Sequence, residues 1–358
     1  MVINNNHPER TARIKVIGVG GGGSNAVSRM YKERIPGVEY MIVNTDAQAL
    51  VQSDVPVKLT IGAQLTEGKG VGGNPDVGKD SAEESREEIY DSIRDADMIF
   101  VAAGMGGGTG TGAAPVVAEL AKETNALTVG IVTKPFEFEG ARRSRVADEG
   151  IKRLGQHVDT LLAIPNERLN LISEEDITAE NAFQLADDVL RLGVQSIAEL
   201  ITVPGEINLD FADVQAIMRN AGPAWMSIGY GIGENRAKDA AQQAITNPLL
   251  DVSIAGAQGV LFNITGGSDL KLTELHEAAK VIQREVDPDA NIIFGMATDL
   301  KMENEIKLTI IATGFDSPDD TNRREERLAR QLANDIANES VNLDIPPFLR
   351  RYTAQSGN

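Results

Sequence analysis

Two long glycine clusters are the residues whose types and spacing most clearly suggest chemistry. The first reads GVGGGGSN at 18–25 and the second GMGGGTGTG at 104–112, each between a predicted strand and a predicted helix. Glycines at such a turn let the backbone approach an anion closely, and the following helix directs free N–H groups and its dipole at the same place. Two such loops in one sheet predict a polyphosphate held from two sides, with the hydroxyls of Thr109 and Thr111 as further donors.

The first cluster alone leaves other interpretations open. Gly18, Gly20 and Gly23 satisfy the pattern G-x-G-x-x-G, so a nicotinamide-dependent oxidoreductase is an alternative, as is a tight turn without a ligand. A third segment, GVGGNP at 70–75, adds exposed backbone. It leads into GNPDVGK at 73–79, but Asp80 then stands where a P-loop has Ser or Thr, and no strand precedes it. A Walker-type site is therefore rejected.

A pair of carboxylates is the third feature with chemical potential. Asp210 and Asp213 in NLDFADV lie three positions apart and would face the same way on a helical turn. They could position a water molecule and a cation for attack on a phosphate. The alternative is an N-cap with a first-turn acid, which suits the sequence LDFADVQAIM equally well.

These residues need a sheet with helices to position them. From Ile14 onward, short apolar runs alternate with amphipathic stretches, which favours a parallel, doubly wound sheet. A second alternating region runs from about Ala224 to Phe315. Between them, apolar residues spaced by three or four predict one helix from Thr178, as N-cap, to Val203, with Pro204-Gly205 as its stop; they are Phe183, Ala186, Leu190, Val194, Ile197 and Ile201.

Composition excludes several classes of protein. The 358 residues suggest two domains, and the absence of cysteine excludes disulfide scaffolds, zinc ribbons, iron–sulfur sites and catalytic thiols. A formal net charge of −19 disfavours binding to nucleic acid or to an anionic bilayer. The polar N-terminus does not resemble a signal peptide, and no apolar run approaches the length of a membrane span. A cytoplasmic protein without direct membrane insertion is expected.

The motif GGGTGTG at 106–112, together with NLDFADV, resembles the signature of the tubulin/FtsZ family. The similarity runs from about Arg13 to Phe315, and IPPFLRR at 345–351 resembles the family's adaptor-binding peptide. Val71 departs from the family, which usually has alanine in this loop near the terminal phosphate. The resemblance implies a Rossmann-like GTPase domain joined by a long central helix to a smaller α/β domain. It also implies GTP hydrolysis and head-to-tail filaments that form the bacterial division ring.

The resemblance also implies the role of individual residues. The phosphates of GTP or GDP would lie among Gly21, Gly22, Gly23, Ser24, Asn25, Gly107, Gly108, Thr109 and Gly110. The terminal phosphate and an expected Mg²⁺ ion would be flanked by Asp46, Ala47, Gly72 and Gly73. No protein metal site is expected. Glu139 and Arg143 would contact ribose and phosphate, although either could be an ordinary solvated charge.

The base would be read by Asn166 and Asp187. A carboxylate accepts hydrogen bonds from both N1–H and the N2 amine of guanine, a donor pair that adenine lacks. Phe183 lies four residues before Asp187 and could stack on the base or belong to the core.

Catalysis would fall to Asp210, Asp213 and Asn208. The predicted helix continues about 16 residues beyond Asp187, roughly 24 Å. These residues would therefore lie too far from their own chain's nucleotide and would act on that of the next subunit in a filament. A GTP-binding scaffold without hydrolysis is a second alternative, beside the nicotinamide-dependent oxidoreductase.

The chain is accordingly divided into seven segments. They are a disordered arm (1–12), the GTP-binding domain (13–177), the central helix (178–203), the catalytic loop with its following helix (204–222), the C-terminal α/β domain (223–315), a charged linker (316–342) and an adaptor-binding peptide (343–358).

The expected partners are further copies of the chain and the adaptors or regulators of division. The apolar residues Ile345, Pro346, Phe348 and Leu349 would bind such an adaptor beneath the inner membrane, unless the tail packs back on its own domain.

Overall fold

The computed structural model describes residues 12–171, 178–202, 210–246, 254–299 and 302–315. These residues form ten strands and eleven α-helices. The strands are β1 (Ile14–Val19), β2 (Val38–Asn44), β3 (Val57–Thr60), β4 (Met98–Gly104), β5 (Leu127–Lys134), β6 (Thr160–Pro165), β7 (Gly222–Ile232), β8 (Gly259–Gly266), β9 (Asn291–Thr298) and β10 (Glu305–Thr313).

The helices connect these strands on both faces of the sheet. They are α1 (Gly20–Glu33), α2 (Ala47–Gln52), α3 (Ala63–Thr66), α4 (Pro75–Glu84), α5 (Arg86–Ile93), α6 (Thr109–Glu123), α7 (Ala141–Leu154), α8 (Ala179–Thr202), α9 (Phe211–Met218), α10 (Arg236–Thr246) and α11 (Leu272–Gln283).

One sheet contains all ten strands, in the order β3-β2-β1-β4-β5-β6-β7-β10-β8-β9. Every pair from β3 to β7 is parallel, with Ile14 of β1 opposite Val38 of β2 and Met98 of β4. The doubly wound α/β fold expected from the sequence is confirmed. The point where chain order reverses lies between β1 and β4, which is where such sheets bind ligands at the carboxyl ends of their strands.

The sheet continues from the first half of the chain into the second. Strands β6 and β7 pair in parallel over only three positions, Thr160–Leu162 against Gly222–Ala224. Beyond β7, the β7–β10 and β10–β8 pairs are antiparallel, and β8–β9 is parallel.

Alternate residues of the parallel strands serve two separate cores. Val16 and Phe100 point to the face covered by α1 and α8, where Met30 and Val194 pack against them. Ile17 belongs to the opposite core, which α4, α5, α6 and α7 cover. Both faces of the sheet are therefore apolar, as in parallel sheets with helices on each side.

Helix α8 crosses the sheet from one end of the strands to the other. Thr178 caps it as predicted, since its Oγ1 accepts from the backbone N of Asn181 at 3.3 Å. Near its start, the ring of Phe183 lies 5.7 Å from that of Phe136, which follows β5. At its end, Thr202 lies beside Gly37, which precedes β2. The predicted stop at Pro204-Gly205 is outside the described residues.

The segment that resembles a P-loop is helical. Asn74 caps α4, because its Oδ1 accepts from Asp76 N at 3.0 Å, so that Gly78 and Lys79 lie within a helix. The rejection of a Walker site is confirmed.

Among the described ranges, no helix is long and apolar enough to cross a bilayer.

Candidate functional site

The two glycine loops touch each other through their backbones. Gly20 has a φ of +72°, and a Cβ on it would lie 2.5 Å from the backbone N of Gly110. A Cβ on Gly23 would lie 2.2 Å from the carbonyl oxygen of Ala102 on β4. Only glycine permits these approaches. As a result, the N-termini of α1 and α6 lie side by side and direct their unpaired N–H groups at one place.

A cavity of about 540 Å³ lies where these helix N-termini meet, at the carboxyl ends of β1, β2, β4, β5 and β6. Fourteen of the predicted nucleotide contacts line it: Gly21, Gly22, Asp46, Gly72, Gly73, Gly107, Gly108, Thr109, Gly110, Glu139, Arg143, Asn166, Phe183 and Asp187.

Four predicted contacts lie off the cavity wall. Because α1 begins at Gly20, only Gly21 and Gly22 of the first cluster face the cavity, and Gly23 turns toward β4. Ser24 is buried, its Oγ lacking a hydrogen-bond partner within the described part of the chain, and Asn25 is exposed to solvent. Ala47 instead donates its backbone N–H to Gly68 O at 3.1 Å.

The cavity also contains residues that the sequence analysis missed. They are chiefly Asn44, Thr45, Lys69, Gly70, Thr133 and Pro135. Most of them stand at or just after the end of a strand, and that position in the sequence is the signal that could have identified them. Thr45 Oγ1 lies 2.7 Å from Thr109 Oγ1, which joins the end of β2 to the start of α6.

The glycine-rich segment at 70–73 lies against the second glycine loop, where the side chain of Val71 and the backbone of Asn74 approach Gly108. A Cβ on Gly108 would lie 2.3 Å from Cγ2 of Val71, so the valine rests directly on the N-cap of α6. Gly70, Gly72 and Gly73 on either side of it all have positive φ. Val71 therefore packs this segment onto the second glycine loop.

Asn166, Phe183 and Asp187 form the end of the cavity beside β6. The Oδ1 of Asn166 is buried without a hydrogen-bond partner among the described residues, although it faces a polar cavity. A buried acceptor that faces a cavity in this way is available to a donor bound there. Phe183 is 46% exposed and so is not a core residue; its ring meets those of Phe136 and Phe138 edge-on.

Asp187 is a partly buried carboxylate with one cationic neighbour. Burial raises its pKa to about 6, the positive charge of Arg29 opposes that rise, and Asp188 adds to it. Arg29 Nε lies 3.2 Å from Asp187 Oδ2. The carboxylate is thus ionised at neutral pH, but its pKa is close enough to neutrality for mild acidification to protonate it.

Glu139 and Arg143 form a second ion pair on the cavity wall. Arg143 Nη1 lies 2.6 Å from Glu139 Oε2, and Glu139 Oε1 accepts from Phe136 N at 2.9 Å. Asp46 is also fixed, since its Oδ1 accepts from Gln48 N and Ala49 N at the start of α2.

The acidic pair lies away from this cavity. Asp210 occupies the N-cap position of α9, and its backbone N donates to Asp213 Oδ2 at 3.2 Å, so the two residues are an N-cap and a first-turn acid within the chain. The other end of α9 is bound at the amino ends of the parallel strands, where Thr160 Oγ1 donates to Met218 O at 2.5 Å. Neither aspartate lines the cavity, and Asn208 is outside the described residues.

Comparison with known proteins identifies the family. The model of the tubulin/FtsZ family GTPase domain matches residues 13–174, and that of the FtsZ family C-terminal domain matches 222–316. The chain belongs to the tubulin/FtsZ family. Membership assigns it a GTPase domain that hydrolyses GTP, so the interpretations as a nicotinamide-dependent oxidoreductase and as a scaffold without hydrolysis are wrong.

Solved FtsZ structures resemble the whole described fold. FtsZ of M. jannaschii, solved as an empty dimer, is 47% identical, covers 85% of this chain and 88% of its own, and has a TM-score of 0.80. A variant of the same protein is 46% identical, with 85% and 92% covered and a TM-score of 0.81. CetZ2 from Haloferax volcanii, in a GTPγS-bound protofilament, shares the fold at 21% identity, with 91% and 99% covered and a TM-score of 0.73.

The contact between the glycine loops can be tested by adding one methyl group. Gly20→Ala should lower the melting temperature and abolish nucleotide binding, because a positive φ costs a non-glycine residue about 1–2 kcal/mol and the methyl group would strike Gly110. Gly21→Ala is the matched control for stability, since nothing lies within 4 Å of its added Cβ. Calorimetry that finds equal melting temperatures for the two variants would contradict this account of the loop contact.

Proposed function

We propose that this GTPase assembles head-to-tail into filaments and hydrolyses GTP only at the junction between two subunits. The observation that carries the proposal is the separation of the nucleotide cavity from the acidic pair. The cavity lies at the carboxyl ends of the parallel strands, whereas α9 is bound at their amino ends. A contact that joins these two different surfaces repeats from subunit to subunit and makes a filament when it does not close into a ring.

The length of α8 supports this proposal. Fifteen residues separate Asp187, on the cavity wall, from Thr202, beside the start of β2, and they span about 22 Å of helix. The acidic pair follows that far end in the sequence, and the helix that it begins, α9, is bound at the amino ends of the strands, so we expect its own cavity to be out of reach. The dimer known for FtsZ of M. jannaschii is consistent with self-association of this chain.

The order of the strands gives the direction in which GTP would lie. Asn166 follows β6, the glycine loops follow β1 and β4, and Asp46 follows β2. With the base beside Asn166 and the phosphates over the glycine loops, the terminal phosphate reaches Asp46. Oxygen ligands suit Mg²⁺, which would be held mainly by phosphate oxygens with Asp46 nearby and would neutralise their charge.

The base would be recognised by Asp187, with Asn166 and Phe183 beside it. An ionised carboxylate accepts from N1–H and the N2 amine of guanine, and the unpaired Oδ1 of Asn166 provides a further acceptor. Glu139 and Arg143 would contact ribose and phosphate at the centre of the cavity.

The role of Asp187 predicts both base preference and pH dependence. Asp187→Ala should reduce the preference for GTP over ATP by a few kcal/mol at most. In the unaltered chain, GTP affinity should fall about tenfold on acidification to pH 5, because a carboxyl group with a pKa of about 6 is then protonated and donates instead of accepting.

Titration calorimetry from pH 5 to 8 measures both effects. Asp187→Asn is the control, because its amide does not titrate; the pH dependence that it retains comes from other groups, such as the terminal phosphate of GTP, and is subtracted. An unchanged preference for GTP in Asp187→Ala would show that another residue reads the base.

At the junction, Asp210, Asp213 and Asn208 of one subunit would face the terminal phosphate held by the next. Carboxylates there would orient the attacking water and accept its proton, a role that requires hydrogen-bond reach of the reacting atoms. Asp210 and Asp213 are held together by the first turn of α9. A neighbouring subunit would therefore present the start of this helix to the phosphate.

A mixing experiment tests this division of labour. Asp210→Ala or Asp213→Ala should bind GTP normally as a dilute monomer, hydrolyse it far more slowly and give longer-lived filaments. Thr109→Arg should block the cavity but keep the acidic pair. Mixing the two variants should restore part of the phosphate release, because one hybrid junction has both halves intact.

The recovery should rise with total protein concentration, as a site between subunits requires. Normal hydrolysis by the aspartate variants, or loss of GTP binding in their monomers, would contradict a role at the junction.

We propose further that these filaments form a bacterial division ring in the cytoplasm, where the peptide 343–358 binds a membrane adaptor through Ile345, Pro346, Phe348 and Leu349. These residues are outside the described part of the chain, and the proposal rests on their apolar character within a polar tail.

Deletion of 343–358 should leave GTP-driven assembly nearly intact and abolish recruitment to adaptor-bearing membranes. Sedimentation with GTP measures the first property and fluorescence microscopy of cells the second. Loss of assembly in the truncated chain would contradict a separable docking peptide.

A further inference from the structure

Lys69 is a cation on the cavity wall to which the assignments above give no role. Within the described structure, it and Arg143 are the two cationic side chains that line the cavity. Arg143 is already bonded to Glu139 at 2.6 Å. Lys69 forms an ion pair with Glu67, and both of these side chains are largely exposed, at 75% and 72%.

The backbone of Lys69 is fixed at one end of the cavity. It forms an isolated β-bridge with Asp46, and the next residue, Gly70, donates to Thr45 O at 3.2 Å. Lys69 follows α3 in the sequence, and its bridge to Asp46 places it beside the loop after β2, whereas Asn166 follows β6. Four strand spacings separate β2 from β6, which is about 19 Å. Lys69 thus lies at the end opposite the proposed base site.

The charges on the wall favour a change of partner for Lys69. Asp46, Glu139 and Asp187 are anionic, so a triphosphate needs positive groups as it enters. An exposed ion pair such as Lys69–Glu67 contributes little to stability and is easily exchanged. A hydrogen bond from an ammonium group to phosphate is stronger than one between neutral groups.

We propose that Lys69 binds the terminal phosphate of GTP and exchanges Glu67 for it when the nucleotide enters. The inference rests on the proposed orientation of GTP, with the base beside Asn166. A diphosphate lacks the group that Lys69 would contact, so the residue returns to Glu67 after hydrolysis. Lys69 therefore favours GTP over GDP in this chain.

The test compares nucleotide binding in dilute monomers of four proteins. Lys69→Met should weaken GTP binding about tenfold or more and GDP binding far less, since one charge-assisted hydrogen bond is lost only with GTP. Lys69→Arg should keep most of the affinity for GTP. Lys58→Met is the matched control, because Lys58 is exposed on neighbouring β3 and does not line the cavity.

The outcomes separate this inference from the proposed function. Equal weakening of GTP and GDP binding, or no weakening of either, would overturn the role of Lys69. Normal GTP binding with loss of assembly would also overturn it, by placing Lys69 at the subunit junction. Failure of the unaltered chain to bind GTP would overturn the proposed function itself.

Discussion

The backbone contact between two glycine loops is the constraint on which the site depends. Gly20 can meet the backbone N of Gly110 only because it has no side chain, and this contact places the starts of α1 and α6 at one cavity. Each helix start offers unpaired N–H groups and the positive end of a dipole. The site can thus attract a polyphosphate although the chain carries a formal net charge of −19. A site that attracts a polyphosphate in this way does not need many lysine or arginine side chains.

The parallel sheet gives the subunit two different ends. Parallel strands place the cavity at their carboxyl ends, and α8 carries the chain to their amino ends before α9 begins. Asp210 and Asp213 follow at that far end, engaged with each other as a helix cap. A subunit with its cavity at one end and its acidic pair at the other would be completed only by a neighbouring subunit, as proposed here. This arrangement would couple assembly to hydrolysis without any long-range conformational signal.

Much of this could be predicted from the sequence, because the strongest signals were periodic or glycine-rich. The spacing of apolar residues predicts the helix capped by Thr178 and the doubly wound sheet, and the tertiary structure keeps both. The burial of Ser24 away from the cavity could not be predicted in this way, because it depends on α1 beginning at Gly20. Strand β3 was not predicted, because VKLT is only four residues long and all four residues are half-buried or exposed. Lys69 is an ordinary exposed lysine, and only the fold brings it to the cavity.

The structure of the GTP-bound filament, determined by electron cryomicroscopy with a slowly hydrolysed analogue, tests the central claim most directly. The quantity to measure is the distance from the carboxylates of Asp210 and Asp213 to the nearest terminal phosphate. We expect that phosphate to belong to the adjacent subunit and to lie within about 6 Å, the reach of one bridging water molecule. A filament in which both carboxylates lie far beyond that reach from every nucleotide would contradict a shared site.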